Sequence, residues 1–285
     1  MVSAMGRKQL LLTLQLSTYS LLALAARTWR ACPSGERLNS AATPKSRLNP
    51  AAMKIALVGV AGVPLGKHKV KDPRLDKADK LVKADRKTHA LVDVVGEEEA
   101  PTADAIVASP EGRFDLIVKD LEFAQTRLAR NPPAAEKAVL EKIKACLEGE
   151  GVVAEAGFTP EELRLVESHA FLTAKPMVVA EAPEVAAFDD FLVRVVNASG
   201  YISFLTVGGP ENRAWLIRKG ATSQEAGGAI HTDIQKGFIR VEIIGWNDFL
   251  AAGGETQAKH ANKMRVETKS YVMQDFDLAN FRFKK

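Results

Sequence analysis

Cysteine is almost missing from this chain. Its 285 residues include two, Cys32 and Cys146. Neither a disulfide framework nor a zinc cluster can be built from a pair so placed, so the cytoplasm is the default compartment. A membrane-spanning run is missing too. The longest apolar stretch, from Leu10, is broken by Thr13, Gln15, Ser17, Thr18 and Ser20, which argues against a span of about 20 apolar residues. Nor is there a catalytic constellation. His68, His89, His169, His231 and His260 fall in separate segments, no Ser-His-Asp or Cys-His set accompanies them, and each reads as structural or surface rather than catalytic. No metal site is expected.

A surplus of positive charge is present in the total and absent from the body. The net charge is +4, but residues 1–52 hold Arg7, Lys8, Arg27, Arg30, Arg37, Lys45 and Arg47 against one acid, Glu36. Without them 32 basic residues face 34 acidic ones, a net of −2. Any argument for nucleic acid must therefore rest on local patches. With 46% hydrophobic and 26% charged residues, the chain is long enough for two modest domains, or one with an insertion. The leader, 1–52, has the layout of a secretory signal peptide: Arg7-Lys8, an apolar run, then "ALAA". The other reading is an upstream extension with Met53 as the true start. That reading is preferred, because "MKIALVGV" opens like a cytosolic nucleotide-binding domain.

From Met53 the text is "MKIALVGVAGVPLGKHKVKDPRLDKADKL". A β-rich run over Ile55–Val60 leads to Gly66-Lys67, where a phosphate-binding loop would be sought. Such a loop needs G-x-x-x-x-G-K followed by Ser or Thr. Backbone N–H groups wrap the phosphates, the Lys reaches the outer ones and the hydroxyl holds Mg²⁺. The residue five before Gly66 is Ala61, and His68 stands in the hydroxyl's place. A neutral imidazole is a poor ligand for Mg²⁺, which prefers oxygen. The stretch reads as the relic of a loop.

Asp72-Pro73 predicts a helix start, with Leu75, Ala78 and Leu81-Val82 at helical spacing. The surrounding lysines read as its solvated face. "HALVDVVG" and "DAIVAS" predict short buried strands. Asp93-Val94-Val95-Gly96 also fits a second phosphate-side motif, a carboxylate at a strand end and a glycine N–H beyond it; a buried strand ending in a turn fits equally. Only nine residues separate Val95 from Ala105, too few for a helix-covered parallel crossover, so a reduced sheet of three or four strands is expected. Phe114–Arg130 and Pro133–Leu147 predict a helical hairpin, placed at 113–150 and broken at "NPP". "TPEELRLVESHAFL" predicts a helix with a capping box at Thr159 and Glu162. "KPMVVAEA" predicts a fourth strand, and 183–197 a helical connector.

From Tyr201 the texture changes. "YISFLTVG", "NRAWLIRKG", "FIRVEIIGW" and "LANFRFKK" read as strands, the last with Phe281 and Phe283 flanking Arg282. One helix lies between the second and third, with a capping box at Thr222 and Glu225, Ala226, Ile230 and Ile234 on one face, and Gly237 after its end. The pattern predicts a small α+β domain of the β-grasp kind.

These elements carry a resemblance. "RAWLIRKG", "AGGAIHTDIQKGFIRVE" and "LANFRFKK" are similar to the C-terminal TGS-type domain of the YchF (Obg-like) ATPase family, P-loop proteins of the TRAFAC type. The match covers about 198–285. The family usually has glycine where Phe276 stands in "QDFDL". Upstream, "DPRLD", "LVDVVG", the hairpin and "FLTAKPMVV" resemble fragments of that family's nucleotide domain, in the family's order. The long stretch that separates the phosphate loop from "DPRLD" in the family is reduced to four residues between Lys67 and Asp72. After the "KP" strand the family places an Asn that binds the base; Ala182 stands there, and the nearby Glu184 cannot supply a carboxamide's donor-acceptor pair.

The resemblance implies an α/β fold, a reduced P-loop-like sheet with a hairpin insert over 53–197, followed by the TGS-like β-grasp domain over 198–285. It implies ATP or GTP with Mg²⁺ as the cofactor, with Gly66, Lys67, Asp93 and Gly96 as residual contacts. Losing the metal hydroxyl and the base contact would cost about 3–6 kcal/mol, roughly 10²–10⁴ in affinity. The favoured reading is a translation-associated protein that binds the ribosome or structured RNA through its TGS-like domain, with weak or absent nucleotide binding. No membrane contact and no DNA sequence specificity are expected. Arg213, Arg218, Lys219, His231, Lys236 and Arg240 are the candidate contacts, to phosphates rather than bases; an ordinary mixed-charge surface is the plainer reading. Trp215 and Phe238 read as core. The alternatives are a reduced-size ATP- or GTP-hydrolysing enzyme, and a decayed paralogue without defined activity.

Overall fold

β1, Met53–Val58, is the middle of a sheet. Its Met53, Ile55 and Leu57 enter one hydrophobic core while Ala56 and Val58 enter another. A strand covered on both faces needs a continuous apolar run, and "IALV", after Lys54, supplies one. The computed structural model describes residues 52–181 and 187–284. The leader and the Ala182 and Glu184 positions lie outside the described residues.

The first sheet runs β2-β4-β1-β5-β6, with β2 Gly66–Val70, β4 Ala90–Val95, β5 Ala105–Ala108 and β6 Met177–Val179. It has five strands rather than three or four. The extra one is β2, which pairs antiparallel with β4 as an edge. β5 does run parallel to β1, from the side opposite β4. The crossover needs no α-helix, because a 3₁₀ turn over Glu97–Thr102 crosses the end of the sheet with Ala100 buried beneath it. The first strand ends at Val58, two residues earlier than expected.

α1, Pro73–Leu81, starts as its sequence predicts: Asp72 accepts from the Arg74 N–H, and Pro73 opens the helix. Its Leu75 and Ala78 are fully buried. α2, Pro110–Ala129, and α3, Ala134–Glu148, form the hairpin, broken where Asn131 turns to φ 51° before two prolines. They share a separate core with α4, Pro160–Val166, whose Thr159–Glu162 capping box is present. α5, Phe188–Ala198, leads to the second sheet.

That sheet runs β10-β9-β11-β7-β8-β3. β7 (Tyr201–Thr206) and β8 (Glu211–Arg218) form an antiparallel hairpin, and β11 (Leu278–Phe283) lies parallel to β7 and antiparallel to β9 (Phe238–Ile244). β10 is Arg265–Glu267, and β3, Arg86–Thr88, adds the far edge parallel to β8. A hairpin whose first strand is flanked by the last strand is the β-grasp arrangement. Two short helices, α8 (Trp246–Ala252) and α9 (Glu255–His260), follow β9.

The single helix expected after Thr222 is two. α6, Ser223–Ile230, keeps its capping box, then His231 turns extended and its Nδ1 accepts from Asp233 N–H to start α7, Thr232–Lys236. α7 folds back across Gly227 and Gly228, where an added Cβ would lie 2.9 and 2.8 Å from Ile234 and Gln235 side-chain atoms. All described residues belong to one unit. Its central core joins Ile55, Leu57 and Val92 of the first sheet to Phe191 and Val195 of α5 and to Leu205, Ile244, Phe276 and Leu278 of the second.

Candidate functional site

A phosphate loop is a strand, a glycine-rich turn and then a helix whose N-terminus faces the anion. β1 ends and a seven-residue loop, 59–65, leads straight into β2; the helix is missing at this place. Gly59 takes φ +67°, and a Cβ there would lie 2.6 Å from the Ser109 Oγ, so this turn is closed onto the start of α2. Gly66 and Lys67 are strand residues, paired in register with Val94 and Asp93. His68 Nε2 lies 2.8 Å from the Pro64 carbonyl, which can only accept, so this nitrogen carries the proton. Its ring meets Phe188 edge-on at 4.9 Å. His68 thus closes the loop and packs it on α5.

Asp93 stands between two lysines, opposite Lys67 on β2 and Lys54 on β1. Directly opposed residues share a face of the sheet, so the row reads Lys67, Asp93, Lys54. Lys54 also bonds Glu99 at 2.8 Å, and its N–H donates to Asp104. Asp93 is therefore set among cations of its own sheet. Gly96 opens the 3₁₀ turn with an extended backbone, and a Cβ there would come 2.9 Å from the Glu98 carboxylate. The register brings Lys67 and Asp93 together. Where the base would be read, Lys175 Nζ donates to the Ala103 carbonyl at 2.6 Å, and burial pushes its pKa down.

The candidate partner contacts do not form one patch. Arg213 shares the β8 face of Ile217, towards α6, and stacks 4.0 Å over Trp215. Arg218 lies on the opposite face and donates to Asp104 at 2.7 Å, tying the second sheet to the first. Lys219 follows in the turn, His231 caps α7, and Lys236 ends that helix. Arg240 points out from β9.

Sequence reasoning missed two groupings. One is Arg74, which donates through Nε and Nη2 to the Asp72 carboxylate at 2.7–3.1 Å and through Nη1 to Asp275 at 2.5 Å. The other is Glu242, bound through both oxygens by Arg282 at 3.0 Å. The alternation in "NFRF" was the available signal for Arg282. No signal joined Arg74 to a residue 201 positions away. Among the described residues there is no His/Cys/Asp/Glu group able to hold a metal ion and no helix long and apolar enough to cross a membrane.

Fold and site define a two-sheet α/β protein. A reduced nucleotide-type sheet carries a helical hairpin and is followed by a β-grasp sheet. The YchF-GTPase_C family model, described as "Protein of unknown function (DUF933)", matches residues 201–284. The chain is 34% identical over 232 residues to a "Ribosome-binding ATPase YchF" of Haemophilus influenzae, covering 59% of this chain and 64% of that protein. It is 44% identical over 97 residues to "Obg-like ATPase 1" of Danio rerio, covering 32% of this chain and 24% of that one. The Schizosaccharomyces pombe YchF GTPase structure superposes with a TM-score of 0.66 at 21% identity, covering 81% of this chain and 97% of that chain, which shows the shared fold. In sequence and in fold the chain is similar to the YchF (Obg-like) ATPase family, and residues 201–284 match that family's C-terminal domain. It spans about 64% of the length of the first curated relatives. An alignment of 232 positions that takes in 59% of 285 residues is broken by long gaps on this side.

Proposed function

We propose that this chain is a translation-associated binding protein, cytoplasmic, that meets the ribosome or structured RNA through its TGS-like part, 198–285, while 53–197 binds nucleotide weakly or not at all. The observation that carries the second half is the junction after β1, where loop 59–65 enters an edge strand instead of a helix. A triphosphate there would find no helix continuing from the loop, and no hydroxyl follows Lys67. The residues present do not fit ATP or GTP with Mg²⁺: Gly66, Lys67 and Asp93 serve the sheet, and Gly96 opens the 3₁₀ turn. The first half is supported by the relatives' printed name, ribosome-binding ATPase, and by the family match over 201–284.

The test is calorimetric titration of ATP and of GTP, each with Mg²⁺, into the folded chain and its Lys67→Ala variant, beside co-sedimentation with ribosomes. Co-sedimentation without nucleotide, and no saturation at millimolar nucleotide, is the expected pair of results. Micromolar binding abolished by Lys67→Ala would overturn the nucleotide half and restore a reduced-size ATPase. Failure to sediment with ribosomes would overturn the other.

A further inference from the structure

The antiparallel register of β9 and β11 sets Arg240 directly opposite Arg282, and Glu242 opposite Asn280. Val241, Ile243, Ala279 and Phe281 turn inward to the core beneath α6. The alternate residues Arg240, Glu242, Asn280 and Arg282 therefore share the other face, and three of the four are exposed. Two arginines in direct opposition repel. Glu242 is hydrogen-bonded by Arg282, while Arg240 has no ion pair among the described residues. Arg282 first, then Arg240 and Lys259, hold the Glu242 carboxyl below the ordinary range, and Lys259 is itself bound to Glu255 at 2.6 Å. Lys284 is exposed just after β11, and its N–H donates to the Gly237 carbonyl just before β9. The pairing shifts at Arg282/Phe283, and Ile239 and Phe283 keep 60% and 36% exposure.

We propose that this open face, Arg240 with Arg282 and the flanking Lys284, is the surface that takes the phosphates of structured RNA. Resting on the ribosome or RNA reading above, it narrows the contact to one side of the second sheet and removes Arg213, Arg218 and Lys219 from it. An exposed arginine without an ion pair of its own, held opposite a second arginine, is open to anions from outside. Phosphates are the anions that RNA presents in series, and each neutralised phosphate releases counterions.

The test is binding of a fluorescent RNA stem-loop to the full chain across a KCl series. Wild type is compared with Arg240→Gln, with Arg240→Gln/Lys284→Gln, and with Arg213→Gln as the opposite-face control. Arg282 is left intact because Glu242 needs it. The basic leader is common to all variants, so only differences between them count. Arg240→Gln is expected to weaken binding about 3–10-fold and to lower the salt slope by about one, the double variant further, and Arg213→Gln neither. Wild-type affinity and slope in the double variant would overturn the assignment while leaving the broader reading standing. Loss of ribosome co-sedimentation in Arg240→Gln, with no stem-loop binding by wild type, would make the partner a protein and overturn it too. A wild type that binds neither stem-loop nor ribosome would remove the broader reading itself.

Discussion

Arg74 lies 3.6 Å above the ring of Phe276, and the two come from opposite ends of the described chain. Phe276 is fully buried, meets Trp246 at 5.3 Å, and holds φ +62°, a conformation that L side chains avoid. This is the position where the resemblance implies glycine. The strain is set against the burial of a whole phenyl ring between the two sheets.

Burial wins that contest. Truncating a buried Phe to Ala costs about 3–5 kcal/mol, and a left-handed non-glycine residue costs about 1–2 kcal/mol. Phe276→Gly loses the first and recovers part of the second. Urea unfolding is expected to rank wild type above Phe276→Gly, and Phe276→Gly at or above Phe276→Ala. An alanine variant more stable than the glycine one would contradict the left-handed backbone.

Arg74→Lys is expected to destabilise by about 2 kcal/mol. Lysine cannot grip Asp72 through two nitrogens while reaching Asp275, nor stack as a plane on Phe276. It would leave Asp72, which is 6% exposed, short of partners. Unfolding monitored at the tryptophans tests this; a midpoint within error of wild type would show the junction to be idle.

Glu136 supplies a pH-dependent contact. Hydrogen bonds from Arg127 and then His169 hold its carboxyl down to about 2. An unfolded glutamate titrates near 4.3, so the contact's contribution is complete above that pH. It fades as pH falls towards 2, because the unfolded chain then binds the proton first. The midpoint difference between wild type and Glu136→Gln should shrink over that window. A difference unchanged at pH 2.5 would refute the ion pairing.

Gly227→Ala is expected to destabilise even though the site is helical. Alanine gains about 1 kcal/mol in a helix interior. The new Cβ would meet Ile234 Cγ2 at 2.9 Å, and overpacking costs about 1–3 kcal/mol. Thermal melts showing a stabilised variant would mean that α7 does not fold back onto α6.

Local elements were legible because their causes are local. Asp72-Pro73, Thr159 with Glu162, and Thr222 with Glu225 mark helix starts through hydrogen bonds spanning two or three residues. The hairpin follows from apolar spacing around a double proline. The break at His231 was not legible: helical periodicity continues through it, and only the glycine-permitted packing of α7 on α6 sets it. Edge pairing was equally hidden, since "GKHKV" contains what a loop contains and becomes β2 only when β4 is there to bond it.

The sequence by itself determined most of the strands and helices, the caps at Asp72, Thr159 and Thr222, and which family's residues they resemble. Tertiary structure decided what the residues face. It placed Lys67 in a sheet edge rather than at a helix N-terminus, and turned Arg213 towards α6 and Arg218 towards Asp104. It also set Arg240 against Arg282, and Arg74 against Phe276. These relations depend on register and on contacts between distant segments, where a one-residue shift exchanges the two faces of a strand, and no local pattern carries that information.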